Sequence, residues 1–283
     1  MASLCPQRLL RATDRGPGKT PRQGRHQRYV IVSLEGKTAM VTGAGRGIGQ
    51  AVAVELAAAG MTVALVARSE DQLADTAQQV RHLGAVAVVV PADLADLIQV
   101  TRAIHLATDQ LGTVDVLIND AAMVGPLGQS VLVDPTEWAL TFNVNVVAAA
   151  ALSFAVLPGM VERGWGRIVN VSSAIAAHPE AMVGMNAYAA SKAALEAHTV
   201  NLAAELAGSG VTVNAFRPGS VDTAMQAGIR GQDPTLIGAT LHEWFVRSHA
   251  EGTMITPEQS ARSLIPHLFA DTTGEIWDAS SPN

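Results

Sequence analysis

Only two tyrosines occur in the 283 residues, and one of them, Tyr188, stands four residues before Lys192 in the stretch NAYAASKAAL, 186–195. On a helix, residues at i and i+4 share one face, one turn apart. A free phenol ionises near pH ~10, so acid–base work near neutrality needs a neighbouring positive charge that stabilises phenolate. Lys192 supplies a charge of that sign at that spacing. The same pair also suits a tyrosine that packs and a lysine that snorkels, so its meaning depends on what accompanies it.

What accompanies it is the segment TGAGRGIG, Thr42 to Gly49, between a short apolar run, KTAMVTG, and a helix-like stretch, IGQAVAVELAAAG. In that context Gly43 suits a tight turn, Gly47 allows backbone to approach a pyrophosphate, and Gly49 allows a helix to pack on a strand. The helix N-terminus then offers N–H donors and a positive dipole end to phosphate.

The elements that must position these groups follow from the pattern of apolar runs. MTVALVAR, AVAVVVPADL, VDVLINDAA, GRIVNVSS, VTVNAFRPG and GEIWDAS are short and rich in β-branched residues, and helical stretches alternate with them. Near-continuous apolar strands are buried on both faces, and the alternation predicts parallel strands joined by right-handed crossovers. The expected fold is α/β, a Rossmann-type doubly wound parallel sheet of about seven strands with helices on both faces. A long helix is expected from about Pro135 to Arg163, a looser region from Ser220 to Gly252, and a single domain over 35–283.

The TGxxxGxG spacing followed by YxxxK resembles the short-chain dehydrogenase/reductase family, over about residues 36 to 278. The resemblance implies that Tyr188 exchanges a proton with a carbonyl or alcohol oxygen and that Lys192 also binds the nicotinamide ribose. It implies a serine at the end of the preceding strand that holds the substrate oxygen. Ser173 is favoured over Ser172 in VNVSSAIA, and its loop to Tyr188 is longer than usual in the family. It further implies an asparagine seven residues after a tryptophan, here Asn145 after Trp138, which maintains a backbone kink and a proton-relay water; Asn143 is the bystander.

The cofactor contacts implied by the resemblance are Gly43, Gly45, Arg46, Gly47, Ile48 and Gly49 in the loop, then Arg68 and Ser69 after the second strand. Asp93 and Leu94 would meet adenine, Asn119 and Ala121 would follow the fourth strand, and Tyr188 and Lys192 would meet the nicotinamide ribose. Pro218, Gly219, Val221 and Thr223 would approach the nicotinamide amide and phosphate. Where an acidic residue would favour NAD(H), this chain has Ala67 followed by Arg68, which leaves room and charge for a 2′-phosphate. NADP(H) is therefore favoured, with NAD(H) as the alternative. The chain departs from the family's NNAG with Asn119, Asp120, Ala121 and Ala122, which introduces a charge and a methyl where close approach is usual.

Bulk properties bound the remaining readings. Hydrophobic residues make up 48% and charged residues 16%, which excludes global disorder. The single cysteine, Cys5, excludes an intramolecular disulfide and fits a reducing, cytoplasmic setting. No run reads as a membrane span, and His178, His198, His242 and His249 lack metal-ligand spacing, so no metal is expected. Residues 1–34 carry a net +6, so with the whole chain at −6 the rest carries −12. They are read as a basic, disordered extension, and the acidic body disfavours nucleic acid.

The function expected is NADP(H)-dependent hydride transfer between nicotinamide and a small carbonyl or secondary alcohol substrate. The alternatives are a 3-oxoacyl-carrier-protein reductase, with Arg163 and Arg167 as a thin basic patch, and a non-catalytic dinucleotide sensor. Met225, Ile229, Leu236 and Ile237 give the Ser220–Gly252 region the apolar character of a substrate lid. Helices apolar on nearly every face predict a homo-oligomer, dimer or tetramer.

Overall fold

The computed structural model describes residues 34–279. The expectation for 1–34 falls outside the described residues except for Leu34, which is buried in the core.

Seven strands form one parallel sheet: β1 (Thr38–Thr42), β2 (Thr62–Ala67), β3 (Ala87–Pro91), β4 (Val116–Asn119), β5 (Gly166–Val171), β6 (Val211–Arg217) and β7 (Ile276–Asp278). Their order is β3-β2-β1-β4-β5-β6-β7, so the winding reverses between β1 and β4. The pleat sends successive side chains to opposite faces. Ala39, Val41, Val63, Leu65, Val116 and Ile118 enter one core cluster. Met40, Ala64, Val66, Leu117 and Ile168 enter the other. Helices α1 (Gly47–Ala58), α2 (Glu70–His82) and α10 (Pro257–Leu264) cover the first face. Helices α3 (Leu97–Leu111), α5 (Ala148–Arg163) and α6 (Asn186–Glu205) cover the second.

Two sequence expectations change. The Pro135–Arg163 segment is not one regular helix: α4 (Pro135–Phe142) passes through a π-helical turn, Asn143–Val147, into α5. At 29 residues the whole segment is also long and apolar enough to cross a membrane by length and composition. In this fold it is a core helix, packed on α3 and the sheet through Ala148, Leu152, Val156 and Met160.

The Ser220–Gly252 region is helical rather than loose, with α7 (Ala224–Arg230), α8 (Pro234–Ile237) and α9 (Ala239–Ala250). Asp233 caps α8 by accepting from Thr235 N, with Pro234 at its first position. Ile229, Ile237, Leu241 and Phe245 bury an apolar stripe that joins Ile175 and Met185 in a third cluster.

Candidate active site

A cleft of about 340 Å³ lies at the C-terminal ends of the strands, over the β1/β4 reversal. Open α/β sheets bind ligands at that position. Its lining runs from Arg68 and Asp93 past the Gly-rich loop to Tyr188 and Lys192.

At the loop, Gly43 and Gly47 take φ of +68° and +62°, which glycine adopts without penalty. A Cβ at Gly49 would stand 2.5 Å from the Gly43 carbonyl oxygen, so only glycine lets α1 begin this close to β1. Helix α1 has no side-chain cap and no acidic residue in its first turn. Its N–H end therefore suits an anion. Arg46, Arg68, Ser69, Ala67 and Thr223 line the cleft, and neither Arg46 nor Arg68 takes an ion-pair partner among the described residues. Ser69 also caps α2, accepting from Gln72 N.

Asp93 and Leu94 line the far end. Asp93 does not cap α3; that cap is Asp96. Its Oδ1 instead accepts from Ala95 N at 3.0 Å.

The structure brings the Tyr188–Lys192 pair together with most of its expected companions. The Lys192 Nζ lies 5.6 Å from the Tyr188 ring centroid and donates to the Val171 carbonyl at 2.6 Å. The Ser173 hydroxyl lies near enough to the phenol to favour its ionised form. Ser172 turns inward instead and donates to Glu196 at 2.7 Å.

Asn145 is buried in the π turn. Its Oδ1 accepts from Met123 N at 2.7 Å, and its Nδ2 donates to Met123 O and to Ser191 Oγ, each at 2.9 Å. Ser191 in turn donates to the Tyr188 carbonyl at 2.8 Å. Asn145 thus ties the β4 loop to α6, while Asn143 is exposed.

Four expected cofactor contacts, Gly49 under the loop among them, and the expected catalytic Ser173 are not part of the cleft wall. Asn119 points into the core, donating to Asn170 Oδ1 at 2.9 Å and to Ala149 O, because it closes the gap between β4, β5 and α5. Val221 is buried in a bridge to Ile255, and Gly219 faces Ile255 and Ala279.

The electrostatics differ from the simple expectation of a lysine that acidifies a tyrosine. The Tyr188 phenol is pushed up to about 12, chiefly by burial; the Ser173 hydroxyl draws it down and the Asp120 charge raises it further. Burial holds Lys192 down to about 8 against the pull of Asp120 and Glu196. Asp120 is raised to about 7 by burial, opposed by Lys192 and by the Gly49 N–H.

Asp120 and Glu196 are the residues the sequence reading missed as parts of the site. Asp120 was visible only as a departure from a motif. Glu196 follows Lys192 by four residues, so Tyr188, Lys192 and Glu196 form a one-face series. Glu196 accepts from Arg217 Nε and Nη2 at 2.8 and 2.9 Å, which anchors α6 to β6 behind the lysine.

With this geometry in place, comparison with known proteins gives a consistent answer. A family model described as short chain dehydrogenase matches residues 37–234. The chain belongs to the short-chain dehydrogenase/reductase family. It is an oxidoreductase fold with reductase relatives.

A short chain dehydrogenase of Pseudocercospora fijiensis is 40% identical over 69% of this chain, and the match spans 62% of that protein. The ketoacyl reductase HetN of Nostoc sp. is 37% identical over 87% of this chain and 80% of its own length. Among solved structures, the L-sorbose reductase of Gluconobacter frateurii, complexed with NADPH and L-sorbose, aligns with a TM-score of 0.78 and 26% identity. That alignment covers 88% of this chain and 97% of that one.

The Arg163–Arg167 patch does not exist as a free basic surface. Arg167 is 2% exposed and pairs with Asp271 at 2.6 Å, and Arg163 pairs with Asp115 at 3.4 Å. Both lie at the N-terminal side of β5, away from the cleft at the C-terminal strand ends.

Proposed function

We propose that this chain is an NADP(H)-dependent carbonyl reductase that interconverts a small ketone and its secondary alcohol. The observation that carries the reading is the pairing of Tyr188 and Lys192, with Ser173 acting on the phenol, at one end of a cleft whose other end is the Gly-rich loop and Arg68. The α1 terminus, whose N-cap residue Arg46 makes no side-chain cap, and the loop glycines fit a diphosphate, and Arg46 with Arg68 fits a 2′-phosphate. The bound nicotinamide would supply the hydride; the protein manages position and proton.

In the reductive direction, the Ser173 hydroxyl holds the substrate carbonyl oxygen and Tyr188 gives it a proton. A phenol kept neutral by burial is in the correct state for that step, since the alkoxide it protonates is a far stronger base. Lys192, fixed by Val171 O and backed by Glu196, keeps a positive charge beside the phenolate that forms.

Tyr188 packs against an apolar cluster that includes Ile237, and Val124, Leu127, Met182 and Trp244 pack against the same cluster. That favours a ketone with a hydrophobic substituent over a highly hydroxylated one. A ketoacyl thioester substrate is the second reading, favoured by the HetN relative. The loss of the basic patch removes electrostatic steering as its route to an acidic carrier. The enzyme is proposed to act as a homo-oligomer in the cytoplasm.

The test is oxidation of NADPH and NADH with aliphatic and aryl ketones, a 3-oxoacyl thioester and a ketose. Turnover of hydrophobic ketones with NADPH is expected. Tyr188→Phe should lower kcat by about 10²- to 10⁴-fold while NADPH still binds. A Phe variant with unchanged kcat rejects the assignment of Tyr188.

A further inference from the structure

The dinucleotide cleft contains a carboxyl group that does not complement an anionic ligand. Asp120 lines it, and its Oδ2 lies beneath the Gly-rich loop, 3.1 Å from where a Cβ would stand on Gly43 and 2.8 Å from the same point on Gly49. The backbone fixes it there, because Asp120 N and Ala121 N both donate to Thr42 Oγ1, at 3.0 and 3.1 Å. The carboxylate also lies by the first turn of α1, where the Gly49 N–H favours its ionised form. A bound diphosphate would therefore meet a fixed negative charge beneath the same loop that attracts it.

The groups facing Asp120 determine how that conflict resolves. Helix α6 presents Lys192 and Tyr188, with Glu196 behind the lysine, itself paired to Arg217 of β6. Strand β1 presents only the neutral Thr42, and Arg46 stands at the exposed rim of the loop. Among the described residues, Lys192 is thus the cation that Asp120 meets inside the cleft, and it is shared with Glu196.

We propose that Asp120 sets dinucleotide affinity through its protonation state: the carboxylate opposes the bound diphosphate, and binding draws one proton from solvent onto it. The proposal rests on the dinucleotide reading above. The proton balance is simple. Free enzyme with ionised Asp120, plus dinucleotide, plus a solvent proton gives a complex with a neutral carboxylic acid. In free enzyme the carboxyl titrates near neutral pH, raised to about 7 by burial. The added anion favours the neutral acid further, so affinity is highest at low pH and falls as pH rises through that value.

The experiment compares wild type and Asp120→Asn, as full chains, by equilibrium binding of NADPH and NADH at about pH 6 and about pH 9. NADH is included because a 2′-phosphate itself titrates near pH ~6. Asparagine keeps an amide oxygen at the same place. Loss of the Asp120 charge also lets Lys192 lose its proton at lower pH, which would weaken binding of an anion by the variant at about pH 9, so tighter binding by the variant there reports the carboxyl.

Near-equal constants are expected at about pH 6, with the variant binding about three- to tenfold more tightly at about pH 9, for both dinucleotides. A ratio that does not change with pH, or a wild type that binds more tightly at high pH, overturns the proposal and leaves Asp120 a structural role beside α1. A second measurement compares binding enthalpies in buffers of different ionisation heat at about pH 8: wild type should take up more protons than Asp120→Asn, because Lys192 can take up a proton in either protein, and equal uptake overturns the proposal. Failure of both dinucleotides to bind wild type overturns the cofactor reading, and this inference with it.

Discussion

At the scale of residues, the i, i+4 spacing of Tyr188 and Lys192 made the chemistry legible, but not the state of either group. Sequence gives the charge that a lysine brings; it does not give the cost of burying it. Here burial dominates, so the phenol is held neutral at about 12 and the amine falls to about 8. The consequence for pH dependence follows from the sign of each shift. A phenol held that high stays protonated across the working range, so it contributes no alkaline limb to reduction. An amine held low is charged below about pH 8 and neutral above it. Reductive kcat/KM should therefore fall as pH rises through that value, and Lys192→Arg should carry the limb upward, because a guanidinium keeps its charge. A limb that stays in place in the arginine variant would assign it elsewhere. Cofactor preference is a separate matter at this scale. Arg68 is exposed at the cleft rim after Ala67, and Arg68→Asp should repel a 2′-phosphate and move the NADPH:NADH ratio of kcat/KM about tenfold or more toward NADH. An unchanged ratio would remove Arg68 from cofactor selection.

At the scale of elements, the alternation of apolar runs with helices was enough for the sheet, since parallel strands buried on both faces leave little ambiguity. Strand order and register were not legible, because the handedness of the crossovers fixes neither. The π turn at Asn143–Val147 was not legible, because π turns carry no periodicity of their own. Only the Trp138–Asn145 spacing hinted at a kink. The structure gives it a cause: the extra residue turns Asn145 inward, where it satisfies both backbone groups of Met123 and reaches Ser191. Asn145→Ala leaves those partners unsatisfied and should cost about 1–3 kcal/mol. The check is urea unfolding, where the midpoint should drop without a change in slope. Exposed Asn143→Ala should stay within about 0.5 kcal/mol of wild type. Equal effects from the two substitutions would mean that the π turn does not depend on Asn145. The α7–α9 segment was misread as loose for a different reason. Its helices are short, and their apolar residues are spent on a local cluster over Tyr188 rather than on the sheet.

At the scale of the whole molecule, one sheet with helices on both faces accounts for the apolar residues of α5 and α6 only on the side toward the sheet. Phe154 is 56% exposed, Val161 44%, Val147 37% and Val200 45%. Phe154 meets the edge of His198 at a centroid distance of 5.7 Å, and His198 Nε2 is buried without a hydrogen-bond partner. Four large apolar side chains on and beside the outer sides of α5 and α6 are thus left to water, and an isologous two-fold contact with a second copy would cover them. We therefore expect light scattering coupled to size exclusion to give a mass at least twice 29.4 kDa. Phe154→Glu should shift that species toward the monomer, since a two-fold contact would bring both introduced carboxylates into one interface, where neither has a counter-charge. The cleft is built from residues of one chain, so the monomeric variant should still bind dinucleotide. A monomeric wild type would show that the outer faces of α5 and α6 are tolerated in water and that the two helices serve the sheet alone.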